Sequence, residues 1–457
     1  MSRHAQNPGS RLTSLLRSAA GLIFFLCGVF IWVFKLKGSS GDDGGLLAFS
    51  PMQVLLPTLG VASVSILLLA GRGRLALPMV RGGPTLTFCL GAGLICLGAV
   101  PHLAHASYGR EAAFFIVRWM MPFMYFYFFL LARRLGVSWR PLLYGIALGA
   151  LLSVIAVELT RYGLSIPVRR QDDGRFGGFL NHPNQYGIVV SATAPLIVFF
   201  LRSRGLWEKL LGLTMIPLYL LCLFESLSKA NIILFFLSIT ASALLLTART
   251  PRKLAAIAVA VLVFAGGMIA AGTVGLEVMY ELAPRNAKYF EDAFLSTSDS
   301  RAIISREEIW EDAIDHIRDH PALGLGPGRT HDVLINNHAH NLFLQMWLDA
   351  GVAGELGVLL VVVGVFWGAG RVIRPALRLG GTPTDEQVMR ILSGIAIVDY
   401  VIANSLSDSF GTATMPVFVV FAAFAFCRDQ ERRQPVPDAA PEPAGREGGS
   451  PFPVSPG

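Results

Sequence analysis

The sequence predicts an all-α polytopic membrane protein, on three observations. Hydrophobic residues make up 53% of the 457 positions and charged residues 15%, too apolar a balance for a soluble chain of this length. Apolar runs long enough to span a bilayer, roughly 17–25 residues each, recur along nearly the whole chain, about twelve in all. The loops between them alternate in basic content, as the bias of Lys and Arg toward cytoplasmic loops requires.

The runs lie near 18–35, 50–70, 84–104, 112–132, 141–160, 184–202, 209–225, 228–247, 253–274, 351–370, 388–408 and 411–427. The first follows Arg3, Arg11 and Arg17 and resembles a signal peptide, but so many spans follow that an uncleaved signal-anchor is expected. With the N-terminus in the cytoplasm, the inside loops hold Arg72, Arg74 and Arg81, then Arg133, Arg134 and Arg140, then Arg202 and Arg204. Arg249, Arg252 and Lys253 follow, and after them Arg371, Arg374, Arg378 and Arg390, so both termini are expected inside a bacterial inner membrane. One short outside loop breaks the pattern: Arg161 to Asn184 carries Arg161, Arg169, Arg170 and Arg175, and an anionic ligand at the outer face is one reason for it.

The layout is asymmetric, with nine spans, a long external segment over about residues 275–340, and three more spans. Within that segment Ser305 and Glu308 have the spacing of a capping box. Behind them Ile309/Trp310, Ala313/Ile314 and Ile317 recur at helical spacing. They predict an amphipathic helix lying along the outer surface or roofing the bundle, ended by Pro321 and the glycine run Gly324–Gly328. Residues 1–433 form the membrane domain, and the Pro- and Gly-rich tail 434–457 reads as disordered. All five cysteines (Cys27, Cys89, Cys96, Cys222, Cys427) fall in or beside predicted spans, so no disulfide framework is suggested. The basic pI reflects the inside loops, and no nucleic-acid partner is expected.

Five histidines (His316, His320, His331, His338, His340) crowd into the external segment. His316 and His320 stand i, i+4, as zinc ligands can, but no Glu follows in the H-E-x-x-H manner and no third ligand is evident, so no metal is expected. His338 and His340 can also do no more than polarise a helix start. The residues after them shift the balance. Asn341 can cap a helix beginning near Leu342, and Gly351 with Gly354 offer an i, i+3 face for close approach of a neighbouring helix. These would hold His340 just before a helix N-terminus, whose dipole disfavours the imidazolium and leaves a neutral general base, with His338 in support. Arg118 lies about 9 Å deep in the fourth span, where an ionisable group is costly and often functional. Asp399 is a conceivable partner for it.

His340-Asn341, nine residues, Gly351, two residues and Gly354 resemble the H-[NSQ]-x9-G-x-x-G signature of the O-antigen ligase and polysaccharide polymerase family. Three further elements between about residues 170 and 360 are similar to the family's. They are the run Arg175–Gly187 with Asn181-His182-Pro183-Asn184, the run Ser226–Asn231 with Lys229 in place of the family's Arg, and Arg306…Trp310…Pro321…Gly324-x-Gly326. An ordinary turn and a surface ion pair are the plain readings of the first and third.

The resemblance implies a helical bundle related to that of other polytopic transferases that use polyprenol-linked sugars, the GT-C-like class. It also implies a cofactor-free, metal-independent glycosyltransferase. Its donor is a glycan on undecaprenyl diphosphate, and its acceptor a sugar hydroxyl of lipid A core or of another glycan chain, met at the periplasmic face among membrane lipids. In that scheme His340 takes the acceptor's proton while Arg175, Lys229, Arg306 and Arg118 stabilise the departing diphosphate. Ligase and polymerase share every one of these features. A lipid-linked sugar transporter or flippase is the competing class, since twelve spans with both ends inside is a common transporter plan. Transporters, however, show paired repeats and midplane groups, whereas this chain divides nine and three with its polar candidates at one face.

Overall fold

The computed structural model describes residues 8–32, 83–134, 137–164, 175–180, 182–226, 228–247, 300–334, 338–376, 383–406 and 415–426, with residues 166 and 168. Among them the chain is helical, without a β-strand. α1 is Pro8–Phe30, α2 Gly83–Ala99 with a 3-10 turn Val100–Ala104, α3 Gly109–Arg134, α4 Arg140–Arg161, α5 Pro183–Thr193 and α6 Pro195–Arg202. α7 (Leu206–Ser226), α8 (Lys229–Thr247), α9 (Ser300–Asp319), the short α10 (Thr330–Val333), α11 (Leu342–Ala376), α12 (Asp385–Leu406) and α13 (Met415–Phe426) complete the order.

Among the described residues six segments are long and apolar enough to cross a membrane: Gly83–Ala104, Arg140–Arg161, Pro183–Arg202, Leu206–Ser226, Leu342–Pro375 and Asp385–Ser405. Shorter apolar helices occupy Ser18–Phe30, Ala230–Leu246 and Val417–Phe426. The protein is therefore a multi-pass membrane protein. The expected spans at 50–70 and 253–274, and the tail 434–457, lie outside the described residues.

α12 is the central helix, touching α5, α6, α8, α11 and α13. Its Met389, Leu392, Ala396 and Tyr400 are fully buried, as are Tyr186, Val189 and Leu196 of the α5–α6 pair. Lipid tails are as apolar as leucine, so helices in a bilayer gain by approaching closely through small residues. α2 lies along α11 in this way. A methyl placed on Gly91 would stand 2.5 Å from the Gly357 carbonyl oxygen, and one on Gly357 would stand 2.6 Å from that of Gly91. Two hydrogen bonds cross the bundle interior: Thr193 Oγ1 donates to Tyr219 Oη at 2.9 Å, and Ser238 Oγ to Asp399 Oδ1 at 3.0 Å.

One end of the bundle is tied by charge. Arg140 reaches Glu208 Oε1 at 3.0 Å and Asp385 Oδ2 at 2.7 Å, joining α4, α7 and α12 through residues near the loops that the basic pattern assigns to the inside.

α9 and α11 both depart from expectation. α9 begins at Ser300, so Ser305 lies within the helix and does not cap it; the apolar periodicity extends upstream through Ala302, Ile303 and Ile304, and the helix goes with it. α11 begins at Leu342, a full two turns before the tenth apolar run, and breaks at Ala350 (φ −139°, ψ 15°) and Gly351 (φ 62°, ψ −158°). It is a short outer segment joined to a long spanning one.

Candidate functional site

The loop after α9 folds against the break in α11 and satisfies the backbone groups that the break sets loose. Leu348 O accepts from Leu325 N at 2.7 Å and Gly326 N at 3.1 Å, and Val352 N donates to Ala322 O at 3.2 Å. Gly324 and Gly326 take φ of +71° and +98°, settings that allow this tight passage. Trp347 Nε1 adds a bond to Pro321 O at 2.9 Å, and His102, beyond α2, donates from Nε2 to Leu323 O at 2.9 Å. Tyr108 donates to Asp332 Oδ2 at 2.7 Å, and that bond holds its phenolic proton to a pH above the ordinary range.

The buried face of α9 (Ile309, Ala313, Ile317) closes over Leu325, Leu334, Ala339 and Leu348. The helix therefore roofs the outer segment of α11.

His340 stands at the mouth of that segment. Asn341 Oδ1 accepts from Phe343 N at 3.0 Å and Leu344 N at 3.4 Å, the cap that the sequence expects. His340 itself has φ +47°, the one positive value at a non-glycine residue among the described residues. The peptides before it are held from two sides. Ala339 N donates to Gln345 Oε1 at 3.0 Å, and Trp310 Nε1, from α9, donates to Ala339 O at 3.0 Å. Gln345 Nε2 in turn donates to Asp349 Oδ2 at 3.0 Å and lies 3.4 Å from Thr330 Oγ1, which donates to Asp349 Oδ1 at 3.3 Å. Gln345, Asp349 and Thr330 are all buried.

Residues 213–359 match the family model described as O-antigen ligase. Through this segment the chain is similar to the O-antigen ligase family. The match runs from α7 to the first turns of the spanning half of α11, and so contains Lys229, Arg306, His338, His340, Asn341, Gly351 and Gly354. Arg118 and Arg175 lie outside it. The O-antigen ligase family consists of glycosyltransferase-like ligases and polymerases. No curated protein matches the chain.

The other sequence candidates fall into two groups. His338 lies two residues before His340, and Arg306 is exposed on α9 one turn before Trp310, whose indole reaches Ala339 O. Arg118, on α3, has its guanidinium in the field of Asp349 and not of Asp399, which is committed to Ser238.

The second group gathers where α4, α5, α7 and α8 end. Arg175 is half-buried beside Phe176, whose N–H donates to Glu225 O at 3.0 Å and whose ring lies 5.5 Å from the Arg161 guanidinium. His182 caps α5 through Nδ1, which accepts from Asn184 N at 3.1 Å. Lys229 opens α8, and Asn231, two residues on, ties that corner to α5 by donating to Asn184 O at 3.2 Å and Ser228 Oγ at 2.7 Å. The Arg175 run and the Ser226–Asn231 run are thus one structure. Side chains of Asn181, Lys229 and His331 lie outside the described ones.

Gly351 and Gly354 do not form a helix-packing face. An i, i+3 argument needs an unbroken helix, and the break falls at Gly351, where a methyl would strike Ala322 O of the loop. A methyl on Gly354 would meet Met346 O and Ala350 Cβ of the outer segment itself. The close-packing role belongs to Gly357.

Sequence reasoning missed Gln345, Asp349 and Thr330. The first two carry a readable signal, polar residues at i, i+4 within the apolar run after His340. It missed Glu225 as well, a fully buried carboxyl in the field of Glu158 and Arg161. His316 Nε2 lies 3.5 Å from Asp312 Oδ1, and among the described residues no three His, Cys, Asp or Glu side chains group as a metal site.

Proposed function

We propose that the protein is a glycosyltransferase of the bacterial inner membrane, moving a glycan from undecaprenyl diphosphate to a sugar hydroxyl of lipid A core at the periplasmic face. The observation that carries this reading is the seat of His340: capped by Asn341, at the mouth of a broken membrane helix, inside the matched segment. His340 takes the proton of the acceptor hydroxyl as its oxygen attacks the anomeric carbon. The bond from that carbon to the diphosphate oxygen breaks, and the electron pair leaves with the diphosphate, which needs no strong general acid. Arg175, Lys229, Arg306 and Arg118 supply the fixed positive charge that favours the departing anion. Direct displacement inverts the anomeric centre.

The test is the surface-glycan profile of a deletion strain complemented with wild type or His340→Ala. On this reading the deletion strands full-length polymer on its lipid carrier, wild type restores transfer to core, and His340→Ala does not. Acceptors bearing single repeat units would instead identify a polymerase of the same family. Full complementation by His340→Ala would overturn the mechanism.

A further inference from the structure

The main chain leading into His340 is held on both sides by side chains of α11 and α9. The Ala339 N–H is taken by Gln345 Oε1, and the Ala339 carbonyl, which belongs to the peptide joining it to His340, is taken by Trp310 Nε1. On the other side of His340 the Asn341 cap fixes the helix start. His340 is thus the one residue between two anchored units, and its left-handed setting is what joins them.

A neutral amide can turn over and present either its oxygen or its nitrogen to Ala339. Asp349 decides which. Its carboxyl accepts at both oxygens, so it draws Gln345 Nε2 to Oδ2 and leaves Oε1 facing the Ala339 N–H. Thr330 donates to the other carboxyl oxygen.

We propose that Gln345, Asp349 and Trp310 are positioning residues: a clamp on the Ala339 peptides, oriented by Asp349, that sets where the His340 imidazole meets the acceptor hydroxyl. The inference rests on His340 acting as the base. Gln345 and Asp349 belong to the helix that His340 opens, whereas Trp310 reaches in from α9. The roofing helix therefore takes part in placing the base.

The direction of each bond gives the test. Gln345→Glu sets a carboxylate against that of Asp349, while Asp349→Asn frees the amide of Gln345 to turn over. The double variant Gln345→Glu/Asp349→Asn rebuilds the pattern in reverse: the new carboxylate accepts from Ala339 N–H and from the new amide, with net charge and volume kept. The full-length protein, purified in detergent, is assayed with the undecaprenyl-diphosphate glycan and the unglycosylated core lipid extracted from the deletion strain.

Gln345→Glu and Gln345→Met are expected to lower kcat roughly 10- to 100-fold, the scale of a base misplaced by about 1 Å. Donor KM stays within about twofold, since ground-state binding is untouched. The double variant recovers kcat to within about threefold of wild type, a coupling that two separate structural defects would not produce. Parent-like kcat in both Gln345 variants, or impaired singles with no recovery in the double, would overturn the clamp. Should His340→Ala transfer glycan at the parental rate, the failure lies in the base assignment itself, which this variant reports separately.

Discussion

His340 keeps a backbone setting that costs a non-glycine residue roughly 1–3 kcal/mol, and that cost can be separated from the chemistry. His340→Gly removes the strain and the imidazole together, so its thermal midpoint in detergent should equal or exceed that of the parent while transfer is lost. A midpoint clearly below the parent's would show that the imidazole holds the fold. Asn341 works in the opposite sense. Asn341→Ala leaves Phe343 N and Leu344 N without their acceptor and should cost about 1 kcal/mol, whereas Asn341→Asp keeps the cap. Thermal midpoints of the pair would decide it. The cap is legible in the sequence because it depends on one side chain at one spacing. The clamp is not, because half of it is main chain: Ala339 offers only a peptide, and nothing in its side chain marks it as a partner for Gln345 and Trp310.

At the scale of elements, the break in α11 is the feature on which the site is built. Gly351 has φ 62° and ψ −158°, a region essentially closed to residues with a Cβ, and the added methyl would meet the Ala322 carbonyl. Gly351→Ala should therefore destabilise by at least about 2 kcal/mol and reduce transfer severely. Ala353→Gly, two positions on in ordinary helix, should cost about 1 kcal/mol or less and leave transfer intact. Thermal midpoints and turnover of both would distinguish a special joint from a general sensitivity of the helix. The sequence locates Gly351 and mistakes its task, because a glycine at i, i+3 from another looks the same whether it admits a neighbouring helix or a sharp turn. The upstream start of α9 escapes for a similar reason: Ser305 and Glu308 have the spacing of a cap, but the apolar rhythm already runs before them.

On the scale of the whole molecule, the bundle has two distinct ends: Arg140, Glu208 and Asp385 meet at one, the Arg175 loop and the α7–α8 corner at the other. Both ends were legible because charge and length are properties of whole segments, whereas which helix packs against which depends on single glycines. Arg306 is exposed on α9, so Arg306→Cys should react in whole cells with a membrane-impermeant maleimide once the outer membrane is permeabilised, if that end faces the periplasm. Labelling only after inner-membrane lysis would reverse the orientation. Cys27 and Cys222 are buried and should contribute little background. Arg140→Ala, by contrast, removes two ion pairs of a solvent-reached arginine, one to the exposed Asp385 and one to the half-buried Glu208, and should change stability by about 1 kcal/mol or less.

The joint between the loop and the broken helix is made of main-chain atoms: Leu325, Gly326 and Val352 contribute N–H groups, and Ala322 and Leu348 contribute carbonyls. Peptide groups are common to every sequence, so the seam is indifferent to most of the side chains it joins. A segment such as 322–350 grafted from a homologue would keep its seat provided that it brings glycines at 324 and 326 and meets the glycine at 351. If His340 is the base proposed above, the surface around it is then free to diversify while His340 stays at one address.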